Sequence, residues 1–332
     1  MKVAVYYSNN DIRIEERPIP KISKGEILLK VISSGICGSD VMEWYRIKEA
    51  PKVLGHEVTG IVEKVAKDVK KFKVGDRIFV THHVPCNKCK YCLQGEETVC
   101  KTLRRTNFYP GGFSQYIRIP KINVEKGTFL LPREISFDEG TFIEPLACVI
   151  RSQRKAGIEK GHNVLIIGSG VSGLLHIQLA KLKKAKKIAV IDINPYRLKI
   201  AKKFGANFTA NANENLDEKF DRVIVCTSAK EAIEKSFKFV DNAGTILFFA
   251  PTSPESKIEM PFNELWFKCI KIISSYAAAE KDIKEAIKIL KEKKMNLKGM
   301  ITHKLPLQET LEGFKIVSKA DRSMKVIIKP QE

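Results

Sequence analysis

No run of about 18 apolar residues occurs anywhere in the 332-residue chain, so the sequence offers no transmembrane helix and no membrane partner. The opening residues, Met1 to Tyr7, turn polar too soon to supply the apolar stretch of a secretory signal, and a cytoplasmic location is expected. There is no internal repeat and no low-complexity linker. Aromatic residues make up only 8% of the chain and are not interleaved with its lysine-rich stretches at 181–187 and 284–294. That scarcity matters because a formal net charge of +20 is otherwise the footprint of a nucleic-acid binder. Arginine is the minority cation, and the charge reads as solvated lysine faces compatible with a hot habitat. No nucleic-acid partner is expected. With 44% hydrophobic and 29% charged residues, the composition is that of a globular chain long enough for two domains, each with its own core.

Without a secretion signal, the eight cysteines point to metal or thiol chemistry rather than disulfides. Four of them, Cys86, Cys89, Cys92 and Cys100, lie within fifteen positions at a spacing suited to a closed tetrahedral thiolate cage. Zinc is the usual occupant, in a structural role, with an iron–sulfur cluster as the competing reading. A sparser set comprises Cys37 in Gly-Ile-Cys-Gly-Ser-Asp and the pair His56-Glu57 after Gly55. One thiolate, one imidazole and one carboxylate leave a coordination position for substrate, as a Lewis-acid site requires. Glu144, a carboxylate inside an otherwise apolar run, is a further candidate ligand.

The first 150 residues are β-rich, with strand-like runs at 3–7, 26–33, 58–65, 76–81 and 113–119 separated by turn signals. They predict a compact, barrel-like β domain. The middle of the chain alternates strand and helix, with strands expected at 163–167, 188–191, 206–210, 222–226, 245–249 and 270–274 and helices at 195–204 and 230–239. That rhythm predicts a doubly wound six-stranded sheet. Its first strand runs directly into Gly168-Ser-Gly170-Val171-Ser172-Gly173, the dinucleotide fingerprint in its strand–turn–helix context. Asp192 closes the next strand at the offset where a carboxylate meets the ribose hydroxyls, which favours NAD over NADP; Arg197 lies too far along the following helix to reverse that preference. Cys226 with Thr227, and Ala250 with Pro251, end later strands on the side where such sheets bind ligands. Cys148, Cys226 and Cys269 are expected to pack as small hydrophobes, and 286–290 and 311–317 read as plain amphipathic helices.

Taken in order, Cys37-Gly-Ser39-Asp40, Gly55-His56-Glu57, Gly75-Asp76-Arg77, the four-cysteine loop, Glu144-Pro-Leu-Ala and the glycine turn resemble the zinc-dependent medium-chain dehydrogenases, end to end. The Glu-Pro-Leu-Ala element and Ile301-Thr302-His303-Lys304 point to the sorbitol (polyol) and L-threonine dehydrogenase branches. The resemblance implies an α/β architecture: a GroES-like β-barrel catalytic domain over residues 1–150 carrying two zincs, a Rossmann NAD-binding domain over 151–275, and a return of 276–332 to the first domain, with the active site in the interdomain cleft. It implies catalytic zinc held by Cys37 and His56 with Glu57, Glu144 or both, and Ser39 as the hydroxyl that passes the substrate's proton outward. Zinc would stabilise the alkoxide while hydride leaves for the nicotinamide. His83, Phe108 and Tyr276 are the candidate substrate contacts.

Three departures bear on substrate: the relay histidine of polyol dehydrogenases is replaced by Met42, the polyol-contacting tyrosine falls near Glu43, and the Arg-Tyr pair after the last Rossmann strand is Ser275-Tyr276, which keeps only the tyrosine. His83 instead matches a histidine that threonine dehydrogenases place near their active site; His82 has no counterpart. A polyol, cyclitol or sugar alcohol is the leading expected substrate and L-threonine the alternative, in a homo-oligomer by family analogy. The reading from another class is a basic, non-catalytic zinc- and NAD-binding protein that contacts nucleic acid, which predicts one zinc per chain rather than two.

Overall fold

The computed structural model describes residues 1–214 and 216–332, which divide into two compact units, Met1–Ala147 with Ala277–Glu332 and Cys148–Tyr276.

In the first unit a hairpin of Lys2–Ser8 and Asp11–Glu16 is extended by the short strand Lys52–Val53. A second sheet runs in the order Ile301–Pro306, Lys325–Lys329, Ile27–Gly35, Glu57–Val65, Arg77–Val80, Thr128–Leu130, and Tyr116–Ile119 also pairs with Ile27–Gly35. Ile27–Gly35 is buried along most of its length, with Ile27, Leu29 and Val31 in one core alongside Val58, Val62 and Ile78. The expected strands of the first segment fall on observed ones with shifted ends. The helices expected in the tail are present as Glu280–Lys291 and Thr310–Lys319. The tail also contributes the strands Ile301–Pro306 and Lys325–Lys329, five or six residues each and interrupted by lysines, so that no period-2 pattern announces them.

Asp138 fastens this returning tail. Its Oδ1 accepts hydrogen bonds from Ser33 Oγ at 2.6 Å and Lys329 Nζ at 2.8 Å, and Lys304 Nζ lies 2.7 Å from Oδ2. Partial burial works to raise the carboxyl, but the bonds from Lys304, Lys329 and Ser33 outweigh it and bring the group down to about 2. It sits in the short helix Phe137–Gly140, whose N-cap Ser136 forms a capping box with Glu139.

The second unit is a parallel six-stranded sheet. Counting from Asn163–Ile167 as the first strand, followed by Lys187–Asp192, Phe208–Asn211, Phe220–Val225, Val240–Phe248 and Lys271–Ser274, the spatial order is 3-2-1-4-5-6. This is the doubly wound architecture that the strand count predicted. The helix Pro195–Phe204 shows why its ends were legible. Asn194 caps it by accepting from Tyr196 N at 2.9 Å and Arg197 N at 3.3 Å, Pro195 opens it, and Gly205 closes it at φ +118°. One expectation is corrected. Cys269 is exposed rather than packed, in the left-handed turn (φ +52°) that carries the chain from the helix Phe262–Phe267 to the edge strand Lys271–Ser274. Cys148 and Cys226 are half-buried.

Among the described residues no helix is long and apolar enough to cross a membrane.

The Asp138 cluster makes a pH-dependent prediction. A depressed carboxyl stabilises the fold above its unfolded value of about 3.9, and that contribution disappears as pH falls through about 2. Asp138→Asn should therefore lower the thermal midpoint at pH 7, through a stability loss of roughly 1 kcal/mol once solvent screening is allowed for. The difference from wild type should shrink in a parallel melt near pH 3.

Candidate metal centres and the dinucleotide turn

The four-cysteine loop is folded as the spacing requires. Cys86, Cys89, Cys92 and Cys100 place their sulfurs within 4.8 Å of one another. Sγ–Sγ separations are 3.6 Å for Cys89–Cys92, 3.6 Å for Cys86–Cys100 and 3.9 Å for Cys86–Cys92. Zinc–sulfur bonds of about 2.3 Å in a tetrahedron place sulfurs about 3.8 Å apart, so the cage already has the dimensions of its ion. Asn87 turns the chain at φ +62°, and the Cys86 N–H points at Cys100 Sγ at 3.5 Å. Burial raises the Cys92 thiol to about 12, reinforced by Cys89. Burial also opposes ionisation of Cys100, but N–H groups of Cys86, Leu103 and Thr102 bring it down to about 6. Metal binding must therefore displace a proton from Cys92.

The second group comprises Cys37, His56 and Glu57, whose donor atoms also lie within 4.8 Å of one another. Cys37 follows directly on Ile27–Gly35, in a turn held by Cys37 N donating to Asp40 Oδ2 at 3.0 Å and Asp40 N to Cys37 O at 3.0 Å. Ser39 N points at Cys37 Sγ at 3.5 Å. His56 follows Gly55, whose φ of +90° and tight approach to Phe113 admit only glycine. Asp40 is fully buried and lies 3.4 Å from His56 Nδ1, which fixes the ring and leaves Nε2 to ligate. Burial alone would raise Asp40 and lower His56. Their mutual attraction reverses both, with Arg46 adding to the effect on Asp40 and Cys37 to that on His56, so that Asp40 is lowered and His56 raised.

Glu57 is 1% exposed and pairs with Lys325, equally buried. Lys325 Nζ also lies 5.2 Å from the centroid of the Phe142 ring. Sequence reasoning missed Lys325, because one lysine in Met-Lys-Val-Ile-Ile-Lys carries no signal that it lies inside the protein. Glu144 stands in the first turn of Ile143–Lys155 and is not a member of the three-donor group. Ser39 Oγ accepts from Arg46 Nη2 at 3.3 Å, while Arg46 Nε donates to Ser39 O at 3.0 Å. Beside this group stand His82 and His83, with ring centroids 3.7 Å apart and His82 4.8 Å from His56. Burial lowers both. Repulsion from His83, His56, Arg46 and Lys52 adds to it for His82, and from His56, Arg46 and Arg104 for His83, which falls to about 3. Phe108 lies in the core with Ile27, Leu29 and Ile117, 2% exposed, not on an accessible wall.

In the second unit the glycine turn shows a separate physical need at each position. Gly168 adopts φ +93°, Gly170 is the N-cap of Val171–Leu182, and a Cβ on Gly173 would overlap the Gly168 carbonyl. Val171 and Ser172 open the helix, in the first turn whose N–H groups lack intrahelical acceptors and suit an anion. Asp192 Oδ2 accepts from Ser169 N at 2.7 Å and Ser169 Oγ at 2.8 Å, and Oδ1 from Asn194 N at 2.9 Å. The carboxylate thus holds the turn as well as closing its strand. The Arg197 guanidinium lies 3.7 Å from the Cβ position of Gly170, over the turn rather than away from it. Cys226 and Thr227 stand against Gly168. Ala250, Pro251 and Tyr276 line an apolar cavity of about 480 Å3 with Phe248, Phe249 and Met260.

The alcohol dehydrogenase GroES-like domain family matches residues 23–128, and the zinc-binding dehydrogenase family matches residues 172–292. Among curated proteins, the chain is 31% identical to a probable D-xylulose reductase A of Aspergillus clavatus, covering 96% of this chain and 94% of that one. It is also 31% identical to sorbitol dehydrogenase of Gallus gallus, covering 98% and 95%. Among solved structures, galactitol-1-phosphate dehydrogenase from Escherichia coli superposes with a TM-score of 0.85 at 27% identity over 99% of this chain and 100% of that one.

Metal analysis separates the two centres: wild type should carry two zincs per chain, and Cys37→Ser and Cys100→Ser one each by plasma mass spectrometry. The thermal midpoint should fall further for Cys100→Ser, whose metal staples a loop with few apolar side chains. In protein stripped of the Cys37–His56–Glu57 metal, Lys325→Met should cost about 3–5 kcal/mol by leaving Glu57 buried and unpaired, and Lys325→Met with Glu57→Gln should recover much of that in urea melts. With its closed thiolate cage, its mixed-donor group and its glycine turn, the chain belongs to the zinc-dependent medium-chain dehydrogenases and is an oxidoreductase that uses zinc and NAD.

Proposed function

We propose that the chain oxidises a polyol-type secondary alcohol, with Cys37, His56 and Glu57 holding the reactive zinc and Cys86, Cys89, Cys92 and Cys100 the structural one. The observation that carries this is the contrast between the two donor groups. Four sulfurs saturate one ion, whereas one sulfur, one imidazole and one carboxylate leave a position for an oxygen. When bound, the zinc supplies Lewis acidity to an alcohol oxygen and the dinucleotide a hydride acceptor. Asp40 fixes the His56 ring, and Lys325 fixes Glu57. Ser39 receives the hydroxyl proton. Arg46 occupies one of its lone pairs and so directs its own O–H away from the guanidinium. Met42 supplies no imidazole for a second transfer, and Ser39 is half-buried, so the proton passes from its hydroxyl to water.

Relatives named sorbitol dehydrogenase and D-xylulose reductase support a polyol as substrate. L-Threonine is the less favoured reading. Arg46, Lys52 and Arg104 surround the His82–His83 pair with positive charge, and an α-ammonium group would enter that field. Glu144, in the first turn of Ile143–Lys155, is the proposed exchange ligand for the reactive zinc.

The chain works in the cytoplasm as an assembly of identical subunits. Support for the assembly comes from Lys271–Ser274, an edge strand with unpaired backbone groups. It is flanked by Phe262, Trp266 and Phe267, which are 65–71% exposed.

A panel of polyols, inositols and L-threonine, followed through NADH absorbance, tests the substrate class; turnover of threonine but no polyol would overturn it. Asp192→Ala should raise the KM for NAD by about tenfold, roughly 1.4 kcal/mol, and narrow the preference over NADP; an unchanged ratio would count against the ribose role. Trp266→Glu should lower the molar mass measured by light scattering.

A further inference from the structure

We infer that His82 is a specificity-determining residue, donating a hydrogen bond to a second substrate oxygen next to the reacting carbinol, so that the preferred substrate is a vicinal diol rather than a simple alcohol. The inference rests on the placement of the reactive zinc at Cys37, His56 and Glu57 proposed above.

The ring is held in place. Its centroid lies 4.8 Å from that of His56, yet His82 is not one of the mutually close donors. It is therefore too far to ligate with them and near enough to touch what they hold. The backbone beneath it is fixed by the buried Asn123, whose Nδ2 donates to Thr81 O at 2.9 Å and His82 O at 3.0 Å. Thr106 Oγ1 accepts from Val84 N at 2.8 Å on the other side. A ring on such a loop is pre-organised, which is what a specificity contact needs.

The two ring nitrogens then divide. Nδ1 is sealed from solvent and has no partner among the described residues. A neutral imidazole carries one N–H, and a sealed N–H without an acceptor is the more costly arrangement, so the proton belongs on Nε2. The side chain is half-buried, and Nε2 is its accessible nitrogen. A donor is thereby carried on a ring that stands beside the Cys37–His56–Glu57 group, with no acceptor for it among the described residues. A hydroxyl one carbon removed from the reacting alcohol supplies that acceptor; a simple alcohol leaves the donor to water. The relay histidine and the polyol-contacting tyrosine of polyol dehydrogenases are replaced here by Met42 and Glu43, so neither of those positions supplies this contact. Sites that hydrogen-bond a substrate hydroxyl discriminate against analogues that lack it.

The test compares cis-cyclohexanediol with cyclohexanol on metal-loaded wild type, His82→Leu and His82→Gln. Two measurements are made: kcat/KM with NAD, and calorimetric affinity for the diol with NADH bound, where no turnover occurs. Zinc content is verified at two per chain in each protein. The expected result is a diol preference of about 10–100-fold in wild type. Most of it should be lost in His82→Leu and partly kept in His82→Gln, which retains an amide donor, with a matching weakening of diol binding. Equal losses on diol and alcohol, or an unchanged calorimetric affinity, would overturn the proposal. Should wild type oxidise neither alcohol, the dehydrogenase reading of this centre fails by itself, and the dependence of diol binding on His82 still decides this one.

Discussion

Glu57 and Lys325 stand 268 positions apart in the chain, and each is 1% exposed. Two charges removed from water gain little over a pair of apolar side chains, but either one alone would be costly. The pair therefore sets conditions more than it adds stability. It requires Lys325–Lys329 to lie against Ile27–Gly35 in one register, with Ile327 opposite Gly35 and Ile328 opposite Ser34. It also requires glycine at position 35, where a Cβ would overlap Glu57 Oε2 and press on Lys325 Cε. Gly35 ends the strand that delivers Cys37, and Glu57 begins the strand that follows His56. One ion pair thus ties the return of the tail, the register of the sheet and the placement of all three mixed donors.

Around this constraint, ordinary polar contacts sort the histidines by role. His56 faces a buried carboxylate and gains affinity for a positive partner, whether proton or metal. His82 and His83 face cations and stay neutral. The same residue type is thus held in opposite electrostatic settings a few ångströms apart. The difference lies in which neighbour reaches each ring, since burial pushes all three the same way.

The two halves of the chain were not equally legible. In the dinucleotide unit local rules coincide with the fold: Asn194 caps, Pro195 starts and Gly205 stops a helix whose ends could be read residue by residue. The glycine turn was readable for the same reason, since the needs at Gly168, Gly170 and Gly173 are backbone needs that leave glycine in the sequence. The four-cysteine cage was readable because its ligands lie close together in the chain. Arg197 shows the limit: its helix position was clear, but not that its guanidinium would lie over the turn.

By itself the sequence determined the class of chemistry: a nucleotide turn with its carboxylate, a sulfur cage, and a cysteine and histidine spaced for a second metal. Each of these is encoded locally, in residue types and short spacings whose chemistry allows few substitutes. Tertiary structure alone decided which carboxylate joins Cys37 and His56, that a tail lysine holds it, and that His82 stands beside them while Phe108 lies in the core. Those facts depend on strand pairing between distant segments, and a lone lysine, phenylalanine or histidine carries no mark of the neighbour it will meet.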